Sequence, residues 1–525
     1  TPVDGYPLIT NSSVTLDGYS QPGAVPNSNP IHAANNAQIK IVLSSTNGNG
    51  MAIRLAAEAA VGHTFARPGF NNNDNVILGF FRGTNNWVKG FCFQGVCGPA
   101  ESFYNGNAGP LMGIGFMADD PDTQPWPDAN GGNWHVSGCW FGLNPANGQP
   151  VYMPDGKLAT PIHGLDMERH RNNAQTKVNY AQPGVLGVAA NSPNPRAEFN
   201  VILTPVAAVL TGLNYRLSGN FFNVLPDGMS NFDIAYMADA TTILNSGNAD
   251  AMVIIARQGD NMVIGTDGNG VNDDQEGNVF GGTSAYPFNN PAFCRYRCID
   301  AFYGPSPSTP AQGTNNIIAG NYFGVAIDGV TRFTNSAPIR TGFATTGDTQ
   351  IGSDFDGVSD ALEGNVICNN YPFSTHFLNP GGTDATPEAT LEGRAANSQS
   401  QGFSGINTGA RVSFRGNVTI GNDLLPYKFA NPPANSLPYF TNYSAPYLDV
   451  NSAAGLIPVL TPTNIFPRLT GAFPIGINGY TTVVLDIYEL DPEGWANGKL
   501  FAEPELSDLS TYTNGFPQGK RYLGS

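Results

Sequence analysis

Four aspartates and two tryptophans crowd one short stretch, DDPDTQPWPDANGGNWH at 119–135. Asp119, Asp120 and Asp128 are candidate catalytic groups there, and Trp126 and Trp134 are candidate sugar-stacking platforms. A glycosidase needs this set: one carboxyl as acid, another as base or nucleophile, and an apolar ring for the sugar. A long stretch without core periodicity suits a functional insertion. The same residues equally suit an acidic loop whose tryptophans pack on the body of the protein. A second ionisable cluster is HGLDMERHR at 163–171. On a strand, Asp166, Glu168 and His170 would share one face, and His163 and His170 could join an acid–base or metal set. Turn salt bridges are the plainer use.

A third set is acidic and repeated. Residues 264–279 read IGTDGNGVNDDQEGNV and residues 351–366 read IGSDFDGVSDALEGNV, identical at ten of sixteen positions. Asp267, Asn269 and Asp273 recur as Asp354, Asp356 and Asp360. Closely spaced oxygen ligands around a glycine turn suit Ca²⁺, although the spacing is not that of an EF-hand. A degraded copy, LGVAANSPNPRAEFNV at 186–201, carries Ala189 and Pro195 in place of two aspartates but keeps Glu198 and Asn200. Glu and Asn are therefore expected to be architectural, with only the aspartates as candidate metal ligands.

These repeats are offset by 78 and 87 residues (Ile264 from Leu186, Ile351 from Ile264). Such offsets correspond to three or four coils of a solenoid whose units run about 20 to 45 residues. A shorter motif recurs as SGCWFG at 137–142, SGNFF at 218–222, AGNYFG at 319–324 and RGNV at 415–418. Each is a strand entering a tight corner and then an aromatic or branched residue. The apolar runs between corners are too short for helices and read as strands. Stacked coils would place equivalent asparagines in register, where their amides can form ladders along the axis.

Composition agrees. Only 12% of the 525 residues are charged, while glycine alone supplies 63. Amphipathic helices need charged outer faces, whereas Gly and Asn supply positive-φ corners between strands. The formal net charge of −17 makes nucleic acid an improbable partner, because phosphate binding needs Lys and Arg. An extracellular glycan, a divalent cation or a second copy of the chain is easier to accommodate. No apolar run is long enough for a transmembrane segment. Two close cysteine pairs, Cys92 with Cys97 and Cys294 with Cys298, are expected to be short-loop disulfides of a secreted or cell-surface protein. Sequons occur at Asn11, Asn417 and Asn442.

TLDGYSQPGA at 15–24, the two acidic repeats and GNYFG resemble the bacterial secreted parallel β-helix repeat proteins of the pectin-lyase-like superfamily. The resemblance implies an all-β fold: a right-handed parallel β-helix over 1–425, a Pro/aromatic linker over 426–454, and a small antiparallel β-sandwich over 455–525. The first part would include Thr10–Ala24 as an early coil. The resemblance is poorly specific for activity, since the fold serves lyases, glycosidases and adhesins. The signatures GHG and R-I-K of pectinolytic relatives are absent, and only seven lysines are present. Three readings follow: a structural, self-assembling or adhesive surface protein (a surface layer or fibre component), a glycosidase or polysaccharide lyase, and a non-catalytic glycan-binding protein.

Overall fold

The computed structural model describes residues 6–45, 51–52, 75–81, 83–95, 111–117, 132–154, 158–161, 163–166, 181–204, 206–232, 252–281, 297–301, 315–331, 333, 337–341, 348–368, 403–404, 411–420, 487–490 and 519–524. They form an all-β structure of long parallel sheets, the arrangement of a parallel β-helix. Three faces are visited in cyclic order. The first face stacks Thr15–Asp17, Trp87–Lys89, Trp134–Ser137, Ala181–Gly187, the end of Val206–Ser218, Val263–Gly265, Asn316–Ala319, Asp348–Gly352 and Arg411–Arg415. The second runs from Ile41–Ser45 through Phe91–Gly95, Trp140–Phe141, Asn200–Ile202, Asn220–Phe222, Val279–Phe280, Tyr322–Phe323 and Val366–Cys368 to Val418–Ile420. The third runs from Asn75–Phe81 to Phe403–Ser404. We number the coils 1 to 9 by their strand on the first face.

The alternation of strand residues sorts the side chains. On the first face Val88, Val136, Leu186, Leu217, Ile264, Ile318 and Ile351 point inward and are buried. On the second face Phe222, Phe280 and Phe323 form an inner stack with centroids 4.8 and 4.7 Å apart. Each buried side chain of this size contributes about 1.5–3 kcal/mol. The same strands also carry an apolar outer row, including Trp140, Val201, Phe221 and Val279, which belongs to a second buried cluster.

The corner between the first and second faces sets the repeat. Short corners turn on Gly138, Gly219, Gly320 and Gly416, each with φ between +60° and +69°. An asparagine follows each of the last three, and Cys139 follows Gly138, its N–H donating to Asn200 Oδ1 at 2.8 Å. Asn200, Asn220, Asn278, Asn321, Asn365 and Asn417 form a continuous amide ladder, each Nδ2 donating to the next Oδ1 at 2.8–3.0 Å. The rungs lie 20, 58, 43, 44 and 52 residues apart in sequence. Unequal spacing in sequence therefore maps onto equal spacing in space. The sequon at Asn417 is consumed by this ladder, with the side chain buried. Corners between the third and first faces instead use asparagine itself in the left-handed region, at Asn85, Asn133, Asn214, Asn261 and Asn315.

From coil 3 onward, short corners alternate with long ones. The long corners are the three repeat copies, in coils 4, 6 and 8. The offsets of 78 and 87 residues thus span two coils, not three or four. The coils are longer than typical solenoid units because long segments are inserted between strands.

The expected domain limits are only partly covered. Residues 426–454 lie outside the described residues. Of 455–525, Ile487–Leu490 and Gly519–Gly524 are described, and they pair antiparallel. The second of these strands lies against Val418–Ile420 in coil 9. No described helix is long and apolar enough to cross a membrane.

Candidate functional site

The three long corners share one carboxylate that ties the turn together. Glu198 accepts the Ala189 N–H at 2.9 Å, Glu276 the Asp267 N–H at 3.4 Å, and Glu363 the Asp354 N–H at 3.3 Å. Each bond closes a loop of the same nine-residue separation. The expectation that Glu and Asn are architectural holds in all three copies. The turns also stack on one another, with Asn272 donating to the Ser192 carbonyl at 2.9 Å.

The aspartates are partly consumed in the same way. Asp273 accepts from Thr266 Oγ1 and the Gly270 N–H, both at 2.7 Å. Asn269 and Asp356 each fold back to accept the N–H two residues on, at 2.7 Å. Both are exposed. The clusters are Asp267 with Asp273 and Glu276, and Asp354 with Asp360 and Glu363. In each, one oxygen per residue lies within 4.8 Å of the others, close enough to hold a metal ion. Each cluster joins two of the expected aspartates to the turn's glutamate.

What faces each cluster comes from the preceding coil. His135, Val185, Arg216, Val263 and Ile317 occupy one register position on the first face. The long corner of coil 4 therefore meets His135, that of coil 6 meets Arg216, and that of coil 8 meets Ile317. Arg216 is 8% exposed. It donates to Asp267 Oδ2 at 2.7 Å and to the Val188 carbonyl at 3.1 Å, and pairs with Glu276. A guanidinium is thus already the cation of the first full repeat. Burial still pushes the Glu276 carboxyl up to about 7, against the pull of Arg216. Burial also raises Glu198 and Glu363.

His135 Nε2 donates to the Gly187 carbonyl oxygen across 2.7 Å, since that oxygen can only accept, so Nε2 carries the proton. Burial holds its pKa down near 4. Its ring stacks on Trp87 at 4.7 Å, and Lys89 lies over the same indole while pairing with Asp17. This outer cluster was not legible in the sequence, because its members come from coils 1, 2 and 3. Glu198 lies 3.8 Å from His135 but is committed to Ala189 and Ser192. The cluster therefore fixes coils to one another and holds no free acid–base pair.

Several sequence candidates fare differently. Trp134 is 1% exposed and packs between Phe116 and Tyr215 inside the coil. It offers no face to a sugar, because the strand alternation that turns His135 outward turns Trp134 inward. Asp119, Asp120, Trp126, Asp128 and His170 lie outside the described residues. His163 sits on the third face in His163–Asp166, with its side chain outside the description. Cys92 is a buried thiol bonded to the Leu143 carbonyl at 3.1 Å, not half of a described disulfide. Burial raises it to about 12. Its expected partner Cys97 lies outside the described residues. Cys298 is buried in the interior, and Cys294 is likewise outside the description.

No family model, curated protein or solved structure matches this chain.

Proposed function

We propose that the chain is a secreted or cell-surface structural protein, a component of a surface layer, fibre or adhesive appendage. Its helix is taken as right-handed, the sense that parallel crossovers adopt. One observation carries the reading: among the described residues, the recurring polar groups are spent on holding coil to coil and on closing turns. Six asparagines form one axial ladder, and the recurring glutamates close their own turns. Low charge and abundant glycine suit the same role. Electron microscopy of the purified chain, with Ca²⁺ and then with chelator, tests it. Regular fibres or sheets are expected. Uniform single rods together with cleavage of a polysaccharide, lost in Asp119→Asn/Asp120→Asn, would replace it with the enzyme reading. Rods that bind glycan without cleaving it, and lose affinity in Trp126→Ala, would replace it with the glycan-binding one.

A second reading concerns Ca²⁺, and the difference between the two full repeats favours it at one of them. In coil 6 Arg216 neutralises the carboxylates. In coil 8 the equivalent residue of the preceding coil is Ile317, which brings no charge to Asp354, Asp360 and Glu363. These three would hold the ion, and the ion would supply cross-linking of the turn. Calorimetric titration with Ca²⁺ is the test. Loss of the signal in Asp354→Asn/Asp360→Asn, and its survival in Asp267→Asn, is the expected result.

A further inference from the structure

The segment between Asp17 and Ile41 does not simply turn the corner of coil 1. It leaves the first face, runs along the outside of the helix and returns to the second face as a hairpin arm, closed by Val25 and Gln38 in antiparallel contact. Asn27 Oδ1 accepts the Asn36 N–H at 2.9 Å across the same hairpin.

The arm's contacts advance coil by coil. At its root, Tyr19 donates to the Gly138 carbonyl of coil 3 at 2.7 Å. Asn27 donates to the Arg196 carbonyl of coil 4 at 2.8 Å. The Asn35 N–H donates to the Pro226 carbonyl of coil 5 at 2.6 Å. The Ile31 N–H donates to Gln275 Oε1 of coil 6 at 3.3 Å. His32 packs at a tilt against Tyr322 of coil 7, with ring centroids 4.9 Å apart. Ile31, Ala37 and Ile39 are at most 6% exposed and share a cluster with Trp140, Val201, Phe221 and Val279. The arm covers the outer apolar row of the second face from coil 3 to coil 7. Val366 and Val418, which continue the row in coils 8 and 9, are half-buried.

We propose that this arm is an axial latch that joins coils 1 to 7 into one cooperative unit. In a solenoid each coil touches only its neighbours, so stability is a sum of nearest-neighbour interfaces and an end can fray coil by coil. The arm adds contacts between coil 1 and coils 3, 4, 5, 6 and 7. Opening coil 1 therefore removes cover from coil 7, and opening coil 7 undocks the arm. Coils 8 and 9 lie beyond its reach and open independently.

Amide hydrogen exchange of the full chain, read by mass spectrometry, tests the latch. Leu16→Ala weakens coil 1, where Leu16 packs half-buried on the core. With the arm intact, this substitution is expected to speed exchange about tenfold at Val279–Phe280 and Tyr322–Phe323, as much as at Trp87–Lys89, the scale of losing a partly buried leucine. Val366–Cys368 and Val418–Ile420 should not change. With the arm undocked by Ile31→Asp, the effect of Leu16→Ala should fade with distance from coil 1. Asn27→Ala, which removes one buried amide from the arm, gives the same comparison if Ile31→Asp does not fold. An effect that fades with distance even when the arm is intact would overturn the proposal. So would an equal effect on coils 8 and 9.

Discussion

Arg216 and Ile317 occupy the same register position on the first face, two coils apart, and each faces a long acidic corner. From the preceding coil one corner receives a buried guanidinium and the other an aliphatic side chain, with Arg415 of coil 9 over the Phe355 ring of the latter at 4.2 Å. The difference makes Arg216 a structural cation. Removing one partner of a buried pair costs about 3–5 kcal/mol, because the other charge is left buried and unpaired. Arg216→Met is expected to fall in that range in urea unfolding, and Arg216→Met with Glu276→Gln to recover part of the loss.

The converse substitution reads the metal. Ile317→Arg would place a guanidinium beside Asp354 and Glu363. It is expected to abolish any Ca²⁺-dependent rise in Tm, while leaving Tm in chelator unchanged or higher. A Ca²⁺ response that survives Ile317→Arg would move the ion away from coil 8.

The amide ladder makes a sharp stability prediction. Asn278 joins Asn220 and Asn321 and has 1% exposure. Asn278→Ala takes the acceptor from the buried Asn220 N–H and a donor from the Leu217 carbonyl, at about 1–3 kcal/mol for each group left unpaired, while Asn321 Oδ1 keeps the residue-278 N–H. Asn269→Ala, on the exposed tip of the same corner, should stay within about 0.5 kcal/mol. Chemical denaturation of the two variants separates a ladder from a merely Asn-rich sequence.

Gly265 and Gly357 both have positive φ, at +102° and +93°. A Cβ on Gly265 would fall 1.8 Å from the Ala319 carbonyl oxygen, while one on Gly357 meets nothing within 4 Å. Gly357→Ala should therefore show only backbone strain, about 1–3 kcal/mol. Gly265→Ala adds a collision between coils 6 and 7 and should lower Tm by clearly more.

His135 is expected to contribute a loss of stability on the acid side. Its pKa falls from 6.5 in the unfolded chain to about 4 in the fold. A depressed pKa means full stability above 6.5, lost as pH falls from 6.5 to 4. At 1.36 kcal/mol per unit this is on the order of 3 kcal/mol. Glu276 acts oppositely: raised from 4.5 to about 7, it favours the fold below 4.5 and loses that contribution as pH rises to 7. Between pH 6.5 and 4.5 the two groups oppose each other, so the reading is a difference between proteins: the stability of His135→Gln relative to the parent should rise as pH falls from 6.5 to 4, with His32, whose pKa burial also lowers, contributing alike to both. A difference that does not vary with pH would take the titration away from His135.

Much of the helix was legible because its signals are local. The sixteen-residue repeats, the Gly and Asn corners and the architectural Glu and Asn all depend on residues close in sequence. What stayed hidden depends on register. Trp134 and His135 are adjacent in sequence, yet one is core and the other outer surface, and nothing local decides which. The residue opposite each acidic corner is fixed by strand pairing across segments of unequal length, so His135, Arg216 and Ile317 could not be matched to their corners in advance. The arm was missed for the same reason. Thr10–Ala24 was expected as a coil, and Thr15–Asp17 is one, but nothing local shows that the following residues run the length of six neighbours. The acidic stretch at 119–128 lies outside the described residues.

The alternation of long and short corners gives the helix a module of two coils, about 9.6 Å of rise at the usual strand spacing. A long corner needs a short one beside it, since the Gly219 and Gly320 N–H groups donate to the carbonyls of Glu276 and Glu363. Deleting a short-cornered coil, or inserting a long-cornered one, would set two long corners against each other, whereas a change of length by a whole module preserves the alternation. The ten identities between 264–279 and 351–366 are then the visible trace of one such module copied onto the next.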